Sequence, residues 1–432
     1  MNPGVLACAP HFEKMLYDNA QLARVYLHAW QVTGSEFFRT ITEEILDYVV
    51  REMLDPTGGF YSTQDADSEG EEGKFFVWTP DEIREVLGEE TDAFIAAYGV
   101  TRHGNASTGS AHGFEGKNIL EFVGDLDRRP ALTEARRKLL EAREKRVHPG
   151  RDEKILTSWN GLMLAAFAEA ARTLNRADYQ EVAERNAEFL LHELRQENGR
   201  LLRTWIARPE GTEGTGEAKL NGYLEDYAYL IEGLLELYQT TFGPRWFVAA
   251  QELAETMLDH FADPEGTLYD TSDDHEMLIT RPRDLQDNAT PSGNAMAVTA
   301  LLKLAGFTNE LRTIDIAHQA LAQMQPMMSQ YLLGFGQWLQ ASTYALSKPR
   351  EIAIVGNPDS TDTQALLSVV RDGYRPFQVL ALGTRSPQDA QVPLLQDRST
   401  VDGQAAAYVC RNFTCQAPLM EPERLRAQVE SW

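Results

Sequence analysis

The chain has 432 residues, with 40 Lys and Arg against 65 Asp and Glu, a formal net charge of −25. Such an acidic excess argues against nucleic acid and anionic membrane surfaces as partners, because phosphate polyanions are repelled. A hydrophobic share of 43% with seven Trp supports a large core and excludes wholesale disorder.

Only Cys8, Cys410 and Cys415 occur, with no C-x-x-C pair, which excludes a disulfide scaffold or a zinc ribbon. Free thiols in a reduced, cytoplasmic setting are the expectation. Met1–Pro10 lacks the basic start of a signal peptide. No P-loop and no G-x-G-x-x-G after a strand is found, so no nucleotide cofactor is expected.

Helical periodicity dominates from the N-terminal side. An amphipathic run over Phe37–Leu54 precedes the turn Gly58-Gly59-Phe60-Tyr61, where glycine permits a tight reversal. The acidic loop beginning at Asp65 opens like a calcium loop, but its twelfth place is Phe76 rather than a closing Glu, so it reads as an acidic rim without a metal. Gly161–Ala168 has no polar face and must be covered on all sides. Amphipathic Tyr179–Leu194 follows, then the turn Gly199-Arg200-Leu201. Tyr223–Tyr238 repeats apolar residues at three- and four-residue steps, Trp246–Phe261 is amphipathic, and Gly266-Thr267-Leu268-Tyr269 is a third glycine turn. Asn294–Leu302 is again apolar nearly all round. Ile316–Ser347 is almost free of charge, yet its many Gln and Pro326 argue for a buried helix rather than a membrane span. Beyond Lys348-Pro349 the pattern turns β-rich at 351–356, 377–382 and 405–410, with a helix over 363–371, a βαβ signature.

These turns belong to one repeat. The glycine positions 58, 199 and 266 are 141 and 67 residues apart. The polar positions Asn19, Asn160, Asp226 and Asn294 step by 141, 66 and 68. Since 141 is close to two periods, a divergent helical pair is expected between Phe75 and Val147. Hairpins repeating at about 65 residues exceed the usual solenoid units and suit a ring of paired helices. The expected architecture is mainly α. It is an incomplete (α/α)6 toroid over residues 10–347, with a small C-terminal α/β module over 348–432.

Five motifs carry a resemblance: His11-Phe-Glu-Lys-Met-Leu-Tyr-Asp-Asn19, Gly59–Gly70, Trp159-Asn-Gly-Leu-Met163, Pro291-Ser-Gly-Asn294 and Ala407-Tyr-Val-Cys410. In this order they resemble the spermatogenesis-associated protein 20-like family, in which a thioredoxin-like domain is fused to a six-hairpin-glycosidase-like toroid. The resemblance implies a toroid like those of glycosidases and sugar 2-epimerases. It also implies an N-terminal thioredoxin-like domain with vicinal cysteines, which nothing in this chain matches. A truncated or split chain, its ring open by about one hairpin, is therefore expected, and redox activity is not carried over.

Parallel inner helices would bring their N-termini to one mouth. There Asp287, Asp226 and His11 are the expected proton carriers, Asn160 and Asn294 the orienting amides, and Trp159 the stacking face. Glu225, Glu13, Asp18, Asp65 and Asp67 are the further substrate-binding candidates. A carbohydrate site needs carboxyl groups for proton transfer, amides for hydroxyls and an aromatic surface for the sugar ring. The expected function is a glycoside hydrolase or sugar epimerase acting on a small carbohydrate, without cofactor. The alternative is a catalytically silent module serving a thioredoxin-like domain in trans. A plain helical scaffold binding peptides is a third reading.

Overall fold

A computed structural model describes residues 11–105, 115–208, 216–263, 266–276, 279–384 and 386–430; Cys8 lies outside them. In chain order the elements begin with β1 (Lys14–Met15), α1 (Leu16–Thr33), α2 (Glu36–Glu52), β2 (Thr63–Gln64), β3 (Asp67–Ser68) and β4 (Glu71–Glu72). Next come α3 (Pro80–Leu87), α4 (Thr91–Ala97), α5 (Thr133–Arg143), β5 (Arg151–Asp152), β6 (Ile155–Leu156), α6 (Thr157–Leu174) and α7 (Ala177–Glu193). They are followed by β7 (Leu202–Ala207), β8 (Gly216–Asn221), α8 (Leu224–Thr241), α9 (Pro244–Phe261), α10 (Gly293–Thr308), α11 (Leu311–Gln330) and α12 (Gly336–Leu346). The last are β9 (Arg350–Val355), α13 (Thr361–Arg371), β10 (Gln378–Gly383), β11 (Ala406–Arg411), β12 (Thr414–Cys415) and α14 (Pro422–Glu430).

Two compact units emerge, and neither is continuous in sequence. The described residues up to Met15 join Thr63–Asp152 in the first, and Leu16–Ser62 joins Glu153 onward in the second. In the first unit β1, β2 and β5 form an antiparallel sheet, β3 and β4 a hairpin, and α3, α4 and α5 pack on Trp78, Ile83, Leu87, Phe94 and Leu139. A reciprocal cap starts α3: Glu82 accepts the Thr79 N–H at 2.7 Å while Thr79 Oγ1 accepts the Glu82 N–H at 3.3 Å. The repeat arithmetic anticipates one divergent helical pair in this region, and the structure has this separate unit instead. Gly88, Gly99 and Gly104, at φ +55°, +55° and +87°, interrupt the chain there, and its helices run only 7 to 11 residues.

The second unit holds the hairpins α1–α2, α6–α7, α8–α9 and α10–α11. Their first helices pack side by side in the order α1, α6, α8, α10, and α12 packs against α10. This is the incomplete (α/α)6-type layering, mainly α, with each second helix against its own partner. The inner helices earn that position by composition, since α6, α8 and α10 bury nearly every residue. A left-handed residue follows each inner helix: Gly34, Asn175, Phe242 and Asn309, at φ between +54° and +69°. Those positions step by 141, 67 and 67, repeating the sequence rhythm. Gly161 and Gly233 bring α6 and α8 into backbone contact, since a Cβ on Gly161 would stand 2.7 Å from Leu230 N, and one on Gly233 2.7 Å from Gly161 O.

The C-terminal sheet has the order β10-β9-β11-β12. Strands β9 and β10 are parallel across α13, and β11 is antiparallel to β9. Its core, including Ile352, Ile354, Leu366, Val370 and Leu382, belongs to the second unit. One expectation is corrected here: Cys410 and Cys415 are not free thiols but a disulfide. A two-residue turn with Asn412 and Phe413 both at positive φ sets the two cysteines opposite each other, Cα atoms 3.9 Å apart. The span 316–347 resolves into α11 and α12, and no described helix is long and apolar enough to cross a membrane.

Candidate functional site

The inner helices are apolar enough that their few charged residues need partners. Helix α6 carries only Glu169 and Arg172, α10 only Lys303, and α8 has Glu232 and Glu236 beyond its first turn. Spacings of three and four place each same-helix pair on one face. Arg24 and His28 sit likewise on α1. All seven line one cavity of about 550 Å³, bounded by these helices, α12 and the 370–380 segment.

The seven make a closed network. Arg24 donates to Glu169 Oε2 at 3.0 Å and to both Glu232 oxygens at 3.0 and 3.2 Å. His28 Nε2 lies 2.8 Å from Glu169 Oε1. Lys303 Nζ donates to Glu232 Oε1 at 2.9 Å and Glu236 Oε1 at 2.7 Å, and Arg172 pairs with Glu236. Burial on its own would raise Glu169 and Glu236, but the cations outweigh it. His28, Arg24 and Arg172 hold Glu169 well below the usual range, and Lys303 with Arg172 brings Glu236 down to about 2. Burial opposes the charge of Lys303, yet Glu232 and Glu236 raise it above an ordinary lysine. At the rim the Tyr374 ring lies 4.6 Å from that of His28.

None of the residues expected from sequence lines this cavity. His11, Glu13, Asp65 and Asp67 belong to the first unit, where His11, Asp65 and Asp67 are exposed and Asp65 accepts the Asp67 N–H at 3.2 Å. The others lie in the second unit, most of them in the first turns of the inner helices. Asp18 is exposed, and Trp159 meets Tyr17 edge-on at 4.8 Å. Asn160 is fully buried, bonded to Phe60 N and O at 2.8 and 3.0 Å and to Leu156 O at 2.9 Å. Asn294, equally buried, accepts the Leu268 N–H at 2.9 Å. Buried Asp226 accepts from Ser158 N, Tyr223 N and Arg203, while Glu225 pairs with Arg203 at 2.9 Å. Burial dominates at Asp226, pushing it up to about 6 against the pull of Arg203. Asp287 accepts from Ser292 N and Gln337 N, both at 2.8 Å, and Ser292 caps α10.

The cavity residues escaped the sequence reading, although a signal was present. His28 and Glu169 are 141 residues apart and Glu236 and Lys303 are 67 apart, the same steps as the glycine turns at 58, 199 and 266. Charges recurring at repeat distance inside apolar helices mark the lining of the hairpin layer. Elsewhere, His260, Asp273 and Asp274 offer clustered oxygens and a ring nitrogen, but the imidazole already meets Asp273 at 2.8 Å and Asp274 is held by Arg200.

No family model matches the chain. It is 34% identical to spermatogenesis-associated protein 20 of Homo sapiens over 453 residues, covering 96% of this chain and 58% of that protein. The Mus musculus protein of the same name is 33% identical, with 96% and 57% covered. The chain thus spans under two thirds of the length of these relatives. Among solved structures, it is similar to cellobiose 2-epimerase from Bacillus thermoamylovorans B4167, with a TM-score of 0.44, 9% identity, and 73% and 61% of the two chains covered. A glycoside hydrolase family 76 mannosidase from Bacteroides thetaiotaomicron gives a TM-score of 0.41 at 10% identity, covering 72% and 59%.

Proposed function

Taking the chain as belonging, over the length it spans, to the family of spermatogenesis-associated protein 20, we propose that its second unit binds a small carbohydrate-like ligand in the cavity along the inner helices. The observation that carries this is the convergence of seven ionisable side chains from four helices on one space of about 550 Å³. That volume suits a mono- or disaccharide. Fixed carboxylates and cations offer acceptors and donors to hydroxyl groups, and the Tyr374 ring offers a face at the rim. The chemistry proposed is acid–base work of the hydrolase or epimerase kind, with His28 as the proton carrier and the ionised Glu169, 2.8 Å away, as the carboxylate that orients it.

Titration calorimetry with a panel of hexoses and disaccharides, read beside NMR of the anomeric protons, tests it. Binding with turnover that is lost in Glu169→Gln is the expected result. Binding by no sugar would overturn the reading.

A second reading has its own support, because every carboxylate of the network is already paired. It makes the unit a silent module for a thioredoxin-like domain in trans. Capture of a thioredoxin-like domain with no change at any sugar centre is its expected signature.

A further inference from the structure

The fixed charge of the cavity indicates the charge of what fills it. Three carboxylates, Glu169, Glu232 and Glu236, face five cations: Arg24, Arg172, Lys303, Arg371 and Arg375. The lining is therefore cationic by two, before His28 is considered, in a chain whose net charge is −25. Arg24, Arg172 and Lys303 are matched by the carboxylates described above. Arg371 and Arg375 are not, and among the described residues neither takes part in an ion pair. Arg371 Nη2 donates to the backbone carbonyls of Gln239 and Thr240 at 3.1 and 3.2 Å, its Nε has no partner, and Arg375 Nε donates to Asp372 O at 3.0 Å.

A half-buried guanidinium that no carboxylate faces carries a desolvation cost, which is relieved when an anion arrives. Burial, then the neighbouring Arg172, brings Arg371 down to about 10, so it still carries its charge at neutral pH. Tyr344 adds a second unfilled demand. It lines the cavity, is 6% exposed, and its hydroxyl has no hydrogen-bond partner among the described residues.

We propose that the ligand of this cavity is an acidic sugar, whose single carboxylate or phosphate group is received by Arg371 and Arg375, while the Tyr344 hydroxyl is a separate donor elsewhere in the lining. The proposal rests on, and deepens, the reading of the cavity as a carbohydrate site. Both oxyanions match the two parallel N–H donors of a guanidinium, which is why arginine rather than lysine suits the task.

The test is calorimetry on the full chain with four probes: a hexuronate, a hexose 6-phosphate, the parent neutral hexose and inorganic phosphate. Expected is at least tenfold tighter binding of one acidic sugar than of the neutral hexose, weakening as salt is raised. The stronger of the two acidic probes tells carboxylate from phosphate. Arg371→Met should cost about tenfold for that probe and distinctly less for the neutral hexose, while Arg371→Lys recovers part of the loss. Circular dichroism confirms that each variant is folded, and the salt dependence needs no variant. Equal binding of acidic and neutral sugars overturns the proposal while leaving the carbohydrate site standing. Inorganic phosphate binding as tightly as the sugar phosphate also overturns it, by showing an anion site indifferent to sugar. Silence from all four probes removes the carbohydrate reading as well.

Discussion

Asn160 and Phe60 are joined twice, the amide oxygen accepting the Phe60 N–H at 2.8 Å and the amide nitrogen donating to Phe60 O at 3.0 Å. The first turn of α6 thereby holds the glycine turn that ends the preceding hairpin. The pattern recurs where Asn294 takes the Leu268 N–H and the Tyr227 hydroxyl takes the Leu201 N–H, each two residues beyond its glycine. Asn160→Ala leaves both Phe60 groups buried and unbonded, and about 2–4 kcal/mol of stability should go with it. Asn294→Ala, which loses one good bond, should cost about 1–2 kcal/mol. Urea titrations of the two variants measure the difference, and equal costs would contradict the geometry.

Gly161 poses a contest of two effects. Alanine in a helix interior is favoured over glycine by roughly 0.5–1 kcal/mol. Against that, the new Cβ would meet Leu230 N and Tyr229 C at 2.7 Å, backbone atoms of α8 that cannot swing aside. Overpacking of this kind costs about 1–3 kcal/mol and wins. Gly161→Ala should lower the melting temperature, whereas a rise would mean that the two helices separate easily.

Lys303 neutralises two buried carboxylates at once. Lys303→Met removes that charge and leaves Glu232 and Glu236 dependent on Arg24 and Arg172. A loss of about 3–5 kcal/mol is expected, the range for a broken buried pair. Adding Glu236→Gln to the same chain should restore part of it, because the uncompensated charge is then gone. Chemical denaturation of the single and double variants checks both steps.

Two acids should shape stability against pH in opposite directions. Asp226 titrates at about 6 in the folded chain, above its unfolded value of roughly 3.9, so the folded state holds the extra proton between those limits. Stability contributed by Asp226 is therefore present below about pH 4 and lost as the pH rises through 6. Glu236, at about 2, behaves conversely: its contribution is present above about pH 4.5 and lost as the pH falls toward 2. Asp226→Asn should flatten the decline between pH 4 and 6, by roughly 2–3 kcal/mol across the window. Melting curves at closely spaced pH values decide this, and an unchanged slope would remove Asp226 as its source.

Much of the fold was legible in the linear chain because helices write their environment into composition. An inner helix such as α6 must be apolar on all sides, and an outer one on a single stripe, so period and polarity reveal which is which. Glycine at the turns marks positions where the backbone must turn left-handed, and its spacing exposes the repeat. Asn160 and Asn294 were visible as members of a second spaced series, near the starts of the inner helices. Their bonding to backbone was not, because an amide that holds a ligand and one that holds a turn look the same in sequence.

Composition and spacing established the helical hairpins, their period and the C-terminal βαβ module, since these depend on contacts a few residues apart or on a pattern repeated along the chain. Three things were decided only in three dimensions. One is that residues 63–152, which interrupt the hairpin series in sequence, form a compact unit of their own with the described residues up to Met15. Another is that positions 410 and 415 face each other closely enough to bond. The last is that Arg24, His28, Glu169, Glu232 and Lys303, drawn from four helices, share one cavity. Each depends on the distance between parts of the chain that are remote in sequence or on the conformation of a single turn, and neither quantity is carried by local preference.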